Sequence, residues 1–293
     1  MSSATADRII EVNGSPVDIS GLRPVGTRAP LPAYVRDMWS RRYFIWADAH
    51  ARAFSSNRDM LLGNGWMIGR PLLDGLAFFL VFGVMLGTSK GVDNYIGWLL
   101  VGVYIFSFTT RSLSGGAAAM AAGRNLIRAF PFPRATVPMA MVVREVISTF
   151  PVITMMLIMI AAIPPHASIT WRWLLFLPVL VLQSMFNAGL VFYAARITAA
   201  IPDARLLIGF LTRFWMYGSG VMFSLDRFVS HPRLLAILEL NPLYCVIELS
   251  RDLLVYGTTP DPKLWVTLSL WAVFTPLIGF LYFWQGEESY ARE

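Results

Sequence analysis

Five charged side chains fall within otherwise apolar stretches of the sequence: Asp74, Arg111, Arg144, Glu145 and Arg213. Charge in such surroundings is costly and marks a site by default. A proton relay needs several acids at one depth. Only Asp74 and Glu145 qualify, which disfavours a proton-coupled carrier. Pairing between helices, or snorkelling of arginine to an interface, accounts for the others. Enzymatic chemistry finds little footing. His50, His166 and His231 lie outside the apolar stretches, with no His-Glu-x-x-His spacing and no cluster of His with acids for a metal. Neither Lys90 nor Lys263 sits in a Gly-x-x-x-x-Gly-Lys-Ser/Thr motif, so ATP cannot be held in the P-loop manner. Cys245 is the single cysteine, which excludes an internal disulfide.

Aromatic rings offer a weaker chemistry. Phe210, Phe214 and Tyr217 follow i, i+4, i+7 and share one helical face, and Phe78 and Phe82 are an i, i+4 pair. Such faces can stack on sugar rings without a fixed hydrogen-bond register, or they can pack helix against helix.

The elements that position these residues are membrane helices. Of 293 residues, 56% are hydrophobic and only 14% charged, against roughly a quarter charged in soluble domains. A soluble enzyme, a disordered chain and a nucleic-acid-binding module are all poor fits. A bilayer-crossing helix needs about 20 apolar residues, and six stretches are candidates: Trp66 to Gly87, a second that starts near Tyr95 and fades after Thr110, Ala135 to Ile163, Trp173 to Ala195, Leu206 to Leu225 and Leu264 to Trp284. The expected class is an all-α polytopic membrane protein with six spans.

Arginine sets the orientation. Arg8, Arg23, Arg28, Arg36, Arg41, Arg42, Arg52 and Arg58 precede the first span; Arg124, Arg128 and Arg134 follow the second; Arg196 and Arg205 follow the fourth. The alternate loops are poorer for their size. The positive-inside rule therefore puts both termini in the cytoplasm. No apolar core of a cleaved signal is expected near the start. Residues 1–33, rich in Pro and Gly, are expected to form a flexible cytoplasmic tail.

Across residues 34–54, Val35, Met38, Trp39, Tyr43, Trp46, Ala49 and Ala53 share a face, and Asp37–Arg41 and Asp48–Arg52 are i, i+4 ion pairs. Trp39 and Trp46 on one side and Arg41 and Arg42 on the other describe a helix lying flat in the membrane interface, assigned to 34–62; a small cytoplasmic domain is the alternative. Between spans two and three, Asn125, Arg128, Phe130, Pro131, Phe132, Pro133 and Arg134 describe a short basic helix ended by prolines. It reads either as a stiff cytoplasmic knob able to dock in another protein or as a plain loop. The stretch Leu234 to Ser250, broken by Glu239, Asn241-Pro242 and Glu248, reads either as a re-entrant helical pair or as an amphipathic surface helix. Spans and loops together make a six-helix domain over 63–285, followed by a cytoplasmic tail over 286–293.

Four segments carry a family resemblance. Arg58-Asp59-Met60-Leu61-Leu62-Gly63, followed by Trp66 and Arg70-Pro71-Leu72-Leu73, resembles the start of the first span in the membrane subunit of bacterial ABC-2-type exporters. The family's common form there has Tyr-Arg and Asn-Pro, from which this chain departs at Asn57 and Arg70. Asn125-Leu126-Ile127-Arg128 with Phe132-Pro133-Arg134 resembles the family's loop after span two. Tyr217-Gly218-Ser219-Gly220-Val221-Met222-Phe223 resembles the end of its span five. Asn241-Pro242-Leu243-Tyr244 with Ile247-Glu248 and Arg251-Asp252 resembles the segment before its last span. The branch is the one that exports lipid-linked O-antigen, teichoic acid or similar polysaccharide. The Ala- and Arg-rich, Lys-poor composition looks actinobacterial. Among such exporters the chain most resembles those for cell-wall galactan.

The resemblance implies a homodimer bound to two copies of an ABC ATPase subunit that holds ATP and Mg, with no cofactor in this chain and contact with membrane lipids. It implies that 124–134 is the coupling helix and 34–54 the interface helix. The segment 226–258 would form an external gate carrying Asn241, Pro242, Tyr244, Glu248 and Arg251. The polymer would pass along the dimer interface, where Phe78, Phe82, Phe210, Phe214 and Tyr217 are assigned as channel lining. An ATP-independent lipid or glycan flippase and a membrane-bound glycan-modifying enzyme are the alternative readings.

Overall fold

The computed structural model describes residues 9–12, 15–18, 29–55, 63–85, 92–129, 132–224 and 231–288. Its body is helical. In chain order come α1 (Leu31–Ser40), α2 (Arg42–Ser55), α3 (Trp66–Phe78, continued with wider turns through Phe79–Met85), α4 (Tyr95–Ala129), α5 (Thr136–Ala162), α6 (Phe176–Ala200, entered by a tight turn Trp171–Leu175), α7 (Ala204–Gly218), α8 (Pro232–Glu239), α9 (Pro242–Arg251, continued through Asp252–Tyr256) and α10 (Pro262–Gln285). The all-α expectation has one exception among the described residues. Within the expected flexible tail, β1 (Ile9–Val12) pairs antiparallel with β2 (Ser15–Asp18). Asn13-Gly14 stands between the strands, a dipeptide favoured in two-residue hairpin connections.

Among the described residues, four helices are long and apolar enough to cross a membrane: Tyr95–Ile127, Thr136–Ala162, Trp171–Ala200 and Pro262–Gln285. They correspond to expected spans two, three, four and six. Span two was expected to fade after Thr110, but α4 runs unbroken for 35 residues, about 52 Å at 1.5 Å per residue. Hydropathy drops after Thr110 because the residues become small, not because the helix ends. Small residues are what close helix contacts in lipid require. A Cβ on Gly116 would stand 2.7 Å from the Val191 backbone of α6. Expected span five is also corrected. The helix α7 has 15 residues, about 22 Å, and ends at Gly218. Gly220 then adopts φ +64°, a left-handed conformation that glycine takes without penalty. The helix of expected span one, α3, is likewise shorter than the four, and Gly87 and Leu225 lie outside the described residues.

The centre of the body is α6, packed between α4 and α10. Gly189 lets α6 and α10 touch backbone to backbone: its added Cβ would meet the Thr275 carbonyl carbon at 2.4 Å. The main core gathers Leu100, Ile105, Met156, Phe186, Leu243, Ile247 and Leu253 from four elements, α4, α5, α6 and α9. The expected single interface helix is two helices. The chain turns at Arg41 between α1 and α2, and residues 56–62 lie outside the described residues.

Candidate functional site

Three groups of residues stand out, at the two ends of the bundle and on the α7 face. The first is at the α9 end. Pro242 starts α9 with its ring pre-set for a first helical turn, and Asn241 caps it. The Asn241 Oδ1 accepts from the Leu243 amide at 3.1 Å and from the Trp215 indole at 3.0 Å. Its Nδ2 donates to the Gly218 carbonyl at 3.1 Å and to Ser219 Oγ at 2.9 Å. One amide thus joins the start of α9 to the end of α7. The Tyr217–Phe223 and Asn241–Tyr244 segments, separate in sequence, are one structure. Hydropathy carries no sign of this junction, but cap chemistry at Asn-Pro points to it.

Arg251, at the other end of α9, is 0% exposed. Its Nη1 pairs with Glu248 at 2.6 Å, Nε donates to the Trp98 carbonyl at 3.2 Å and Nη2 to the Val221 carbonyl at 3.1 Å. The guanidinium carbon lies 3.4 Å from the Trp98 ring centroid. A buried arginine demands this degree of satisfaction. Gly102 makes the room: a Cβ there would stand 2.6 Å from Arg251 Nη2. Tyr244 is also buried, and α9 as a whole is a core helix rather than an amphipathic surface one.

The second group is the α7 face. Phe210, Phe214 and Tyr217 are 55%, 59% and 51% exposed, with the two phenylalanine rings edge to face at 4.9 Å. Phe78 and Phe82 differ. They are half-buried, stack on each other at 6.3 Å and pack on the Tyr95, Trp98 and Leu99 cluster of α4. Within one chain the α7 rings are a free face and the α3 rings are packing.

The third group is at the opposite end. Asn125 is exposed near the end of α4. Phe130 and Pro131 lie outside the described residues, and Arg128 is described only as part of α4. Phe132 is half-buried, its ring 5.9 Å from that of Phe44 on α2. Phe132 therefore lies beside the expected interface helix. Pro133 and Arg134 are half-buried and lead into α5. Along α1 and α2, Trp39 and Trp46 are 68% and 58% exposed, Arg41 is exposed, and Arg42 lies 4.4 Å over the Tyr43 ring. Tyr34, Ile45, Ala49 and Ala53 turn inward. The Asp48–Arg52 pair forms at 2.8 Å.

The charges within apolar stretches resolve as interhelical pairing in one case. Glu145 of α5 takes Arg144 at 2.8 Å and Arg111 of α4 at 3.7 Å, and Arg111 also reaches Thr149 at 3.4 Å. Asp74 and Arg213 are exposed. Among the described residues no group of three His, Cys, Asp or Glu side chains is placed to hold a metal ion. Two residues of the third group, Tyr34 and Glu287, escape sequence reasoning altogether, because they meet across 253 positions.

The family described as ABC-2 type transporter matches residues 46–255. The chain is 22% identical over 229 residues to the O-antigen export system permease protein RfbA of Myxococcus xanthus, covering 78% of this chain and 86% of that protein. It is 22% identical over 205 residues to an O-antigen export system permease protein RfbA of Klebsiella pneumoniae, covering 69% of this chain and 76% of that one.

Proposed function

Because this chain belongs to the ABC-2 type transporter family, we propose that it is the permease subunit of an exporter that carries a lipid-linked polysaccharide across the cytoplasmic membrane. It is a transport subunit and not an enzyme. ATP, with Mg, is bound and hydrolysed by a separate ATPase subunit, two copies of which dock on a homodimer of this chain. The cargo is a polysaccharide, as in the similar O-antigen permeases; cell-wall galactan is the specific candidate, on the resemblance to actinobacterial galactan exporters.

In this reading the α1 end faces the cytoplasm with both termini, and the α9 end faces outward. The helices α3 and α7 complete a six-span arrangement with the four long ones. The pair α8 and α9 forms the external gate, with Arg251 and Asn241 as its fixed hinge. The exposed Phe210, Phe214 and Tyr217 face the polymer path at the dimer interface. Phe78 and Phe82 support that wall from behind, through Tyr95 and Trp98.

The observation that carries the proposal is α4. It is one unbroken helix from the Trp98 carbonyl that holds Arg251 to the turn that Phe132 seats on α2. A push delivered at the turn after Ala129 reaches the other end of the bundle without a joint. Cysteine labelling on a Cys245→Ser background tests the topology: positions 90, 168 and 230 are expected outside and 20, 126 and 290 inside. A Phe130→Ala, Phe132→Ala pair tests the coupling, with ATPase association or export per ATP hydrolysed expected to fall. Normal association and export in that pair would move the ATPase contact to the 34–54 segment.

A further inference from the structure

The C-terminal end of α10 meets the start of α5 and the helix α1 in a buried junction. Glu287 is 8% exposed and Tyr34 2%. The Tyr34 hydroxyl donates to Glu287 Oε2 at 2.7 Å and accepts from the Ala135 amide at 3.0 Å. The Arg134 amide donates to Glu287 Oε1 at 3.1 Å, and the Arg134 guanidinium donates to the Glu287 carbonyl. The Trp284 indole donates to the Ala29 carbonyl at 3.1 Å, and the Tyr34 ring lies 6.1 Å from Phe280.

A carboxylate from the far end of the chain thus takes the Arg134 amide directly and the Ala135 amide through the Tyr34 hydroxyl, at the two residues that lead into α5. Amides at a helix start have no partner within the helix and attract negative charge. Arg134 and Ala135 are also the residues through which the coupling turn enters α5. Motion of that turn is therefore shared at once by α5, α1 and α10.

We propose that Glu287, with Tyr34, is a positioning residue of the coupling step: it makes the exit of the coupling turn, the first interface helix and the last span move as one body. This rests on the exporter reading above. The junction touches neither ATP nor polymer, and it transmits displacement through a contiguous buried network.

The test uses the full-length chain co-expressed with its ATPase subunit. Three quantities are read: the amount of ATPase subunit co-purified, ATP hydrolysis by the purified complex, and surface glycan on intact cells labelled with a hydrazide after periodate oxidation. Glu287→Gln keeps one oxygen for the Arg134 amide but replaces the other with an amide donor, so the Tyr34 hydroxyl loses the acceptor of its proton. It is expected to keep the ATPase subunit and its hydrolysis while surface glycan per ATP hydrolysed falls about five-fold or more, the lower range of an allosteric coupling. Tyr34→Phe, which removes one oxygen, is expected to fall similarly, and the double variant no further. Should Glu287→Gln fail to fold, Tyr34→Phe decides alone. Wild-type glycan per ATP in Tyr34→Phe, or a loss of export matched by loss of bound ATPase subunit, would overturn the assignment. If the wild-type chain itself retains no ATPase subunit, the exporter reading fails instead.

Discussion

The two ends of the bundle each bury a charge, but in different ways. At the α9 end Arg251 is enclosed by Trp98, Val221 and Glu248, all on or beside helices. At the α1 end Glu287 binds the backbone of a turn, Arg134, whose neighbour Phe132 sits partly open beside Phe44. The first arrangement fixes a shape. The second ties three elements to a half-buried turn. In the proposed exporter the first would serve as a gate hinge and the second as a coupling contact; the contrast is one of surroundings rather than of residue type.

The largest effect is expected at the sealed end. Arg251→Ala leaves Glu248 and two carbonyls without their donor and should cost about 3–5 kcal/mol, seen as lost thermal stability in detergent. Arg251→Lys keeps the charge but not the three-way reach or the flat stacking on Trp98, and should recover only part of it. A near-neutral Arg251→Ala would break the comparison. Asn241→Ala comes next. It strips acceptors from the Trp215 indole and the Leu243 amide and should cost about 1–3 kcal/mol, by the same measurement. Asn241→Asp retains the acceptor and should fall between.

The exposed α7 face should behave oppositely. Phe210→Ala with Phe214→Ala should leave the stability of the isolated chain within about 0.5 kcal/mol of wild type while surface glycan drops. Loss of stability with export intact would make these rings packing groups.

The smallest effect is a pH dependence at the α1 end. Burial raises the Glu287 carboxyl above its ordinary 4.5, against the lowering influence of Tyr34 and Arg134. The folded state therefore holds this proton more tightly than the unfolded chain. Its contribution is most favourable at low pH and declines as pH rises above 4.5 through the raised value. Thermal stability of wild type relative to Glu287→Gln should fall over that window. A difference that grows with pH would reverse the sign and place the carboxylate in a better-solvated setting.

Hydropathy and helical period carry much of this architecture. The helices α5, α6 and α10 begin and end near the expected limits, because their stretches rich in Ile, Leu, Val and Met are long enough to outweigh the few polar residues within them. The same signal fails where packing asks for small residues. It stops α4 at Thr110, although Gly115, Gly116 and Ala119 continue the helix at close contacts. It carries α7 past Gly218, where the glycine turn ends the helix. The site residues divide similarly. The shared face of Phe210, Phe214 and Tyr217 was legible from spacing, whereas Asn241 reads in the sequence as a break and a family motif and not as the cap it is. The burial of Phe78 and Phe82 was not legible, since an i, i+4 pair does not say which neighbour it meets. The Tyr34–Glu287 junction left no local trace, because its partners are brought together only by the closed bundle.

In the proposed exporter this chain moves a polymer with energy from another subunit. Reconstitution of the purified chain in liposomes, with and without its ATPase subunit, tests this by scoring ATP hydrolysis and passage of a lipid-linked glycan from one side to the other. No hydrolysis is expected from the chain alone, and glycan translocation only when the ATPase subunit and ATP are both present. Translocation at full rate by the chain alone, or hydrolysis intrinsic to it, would overturn the permease role.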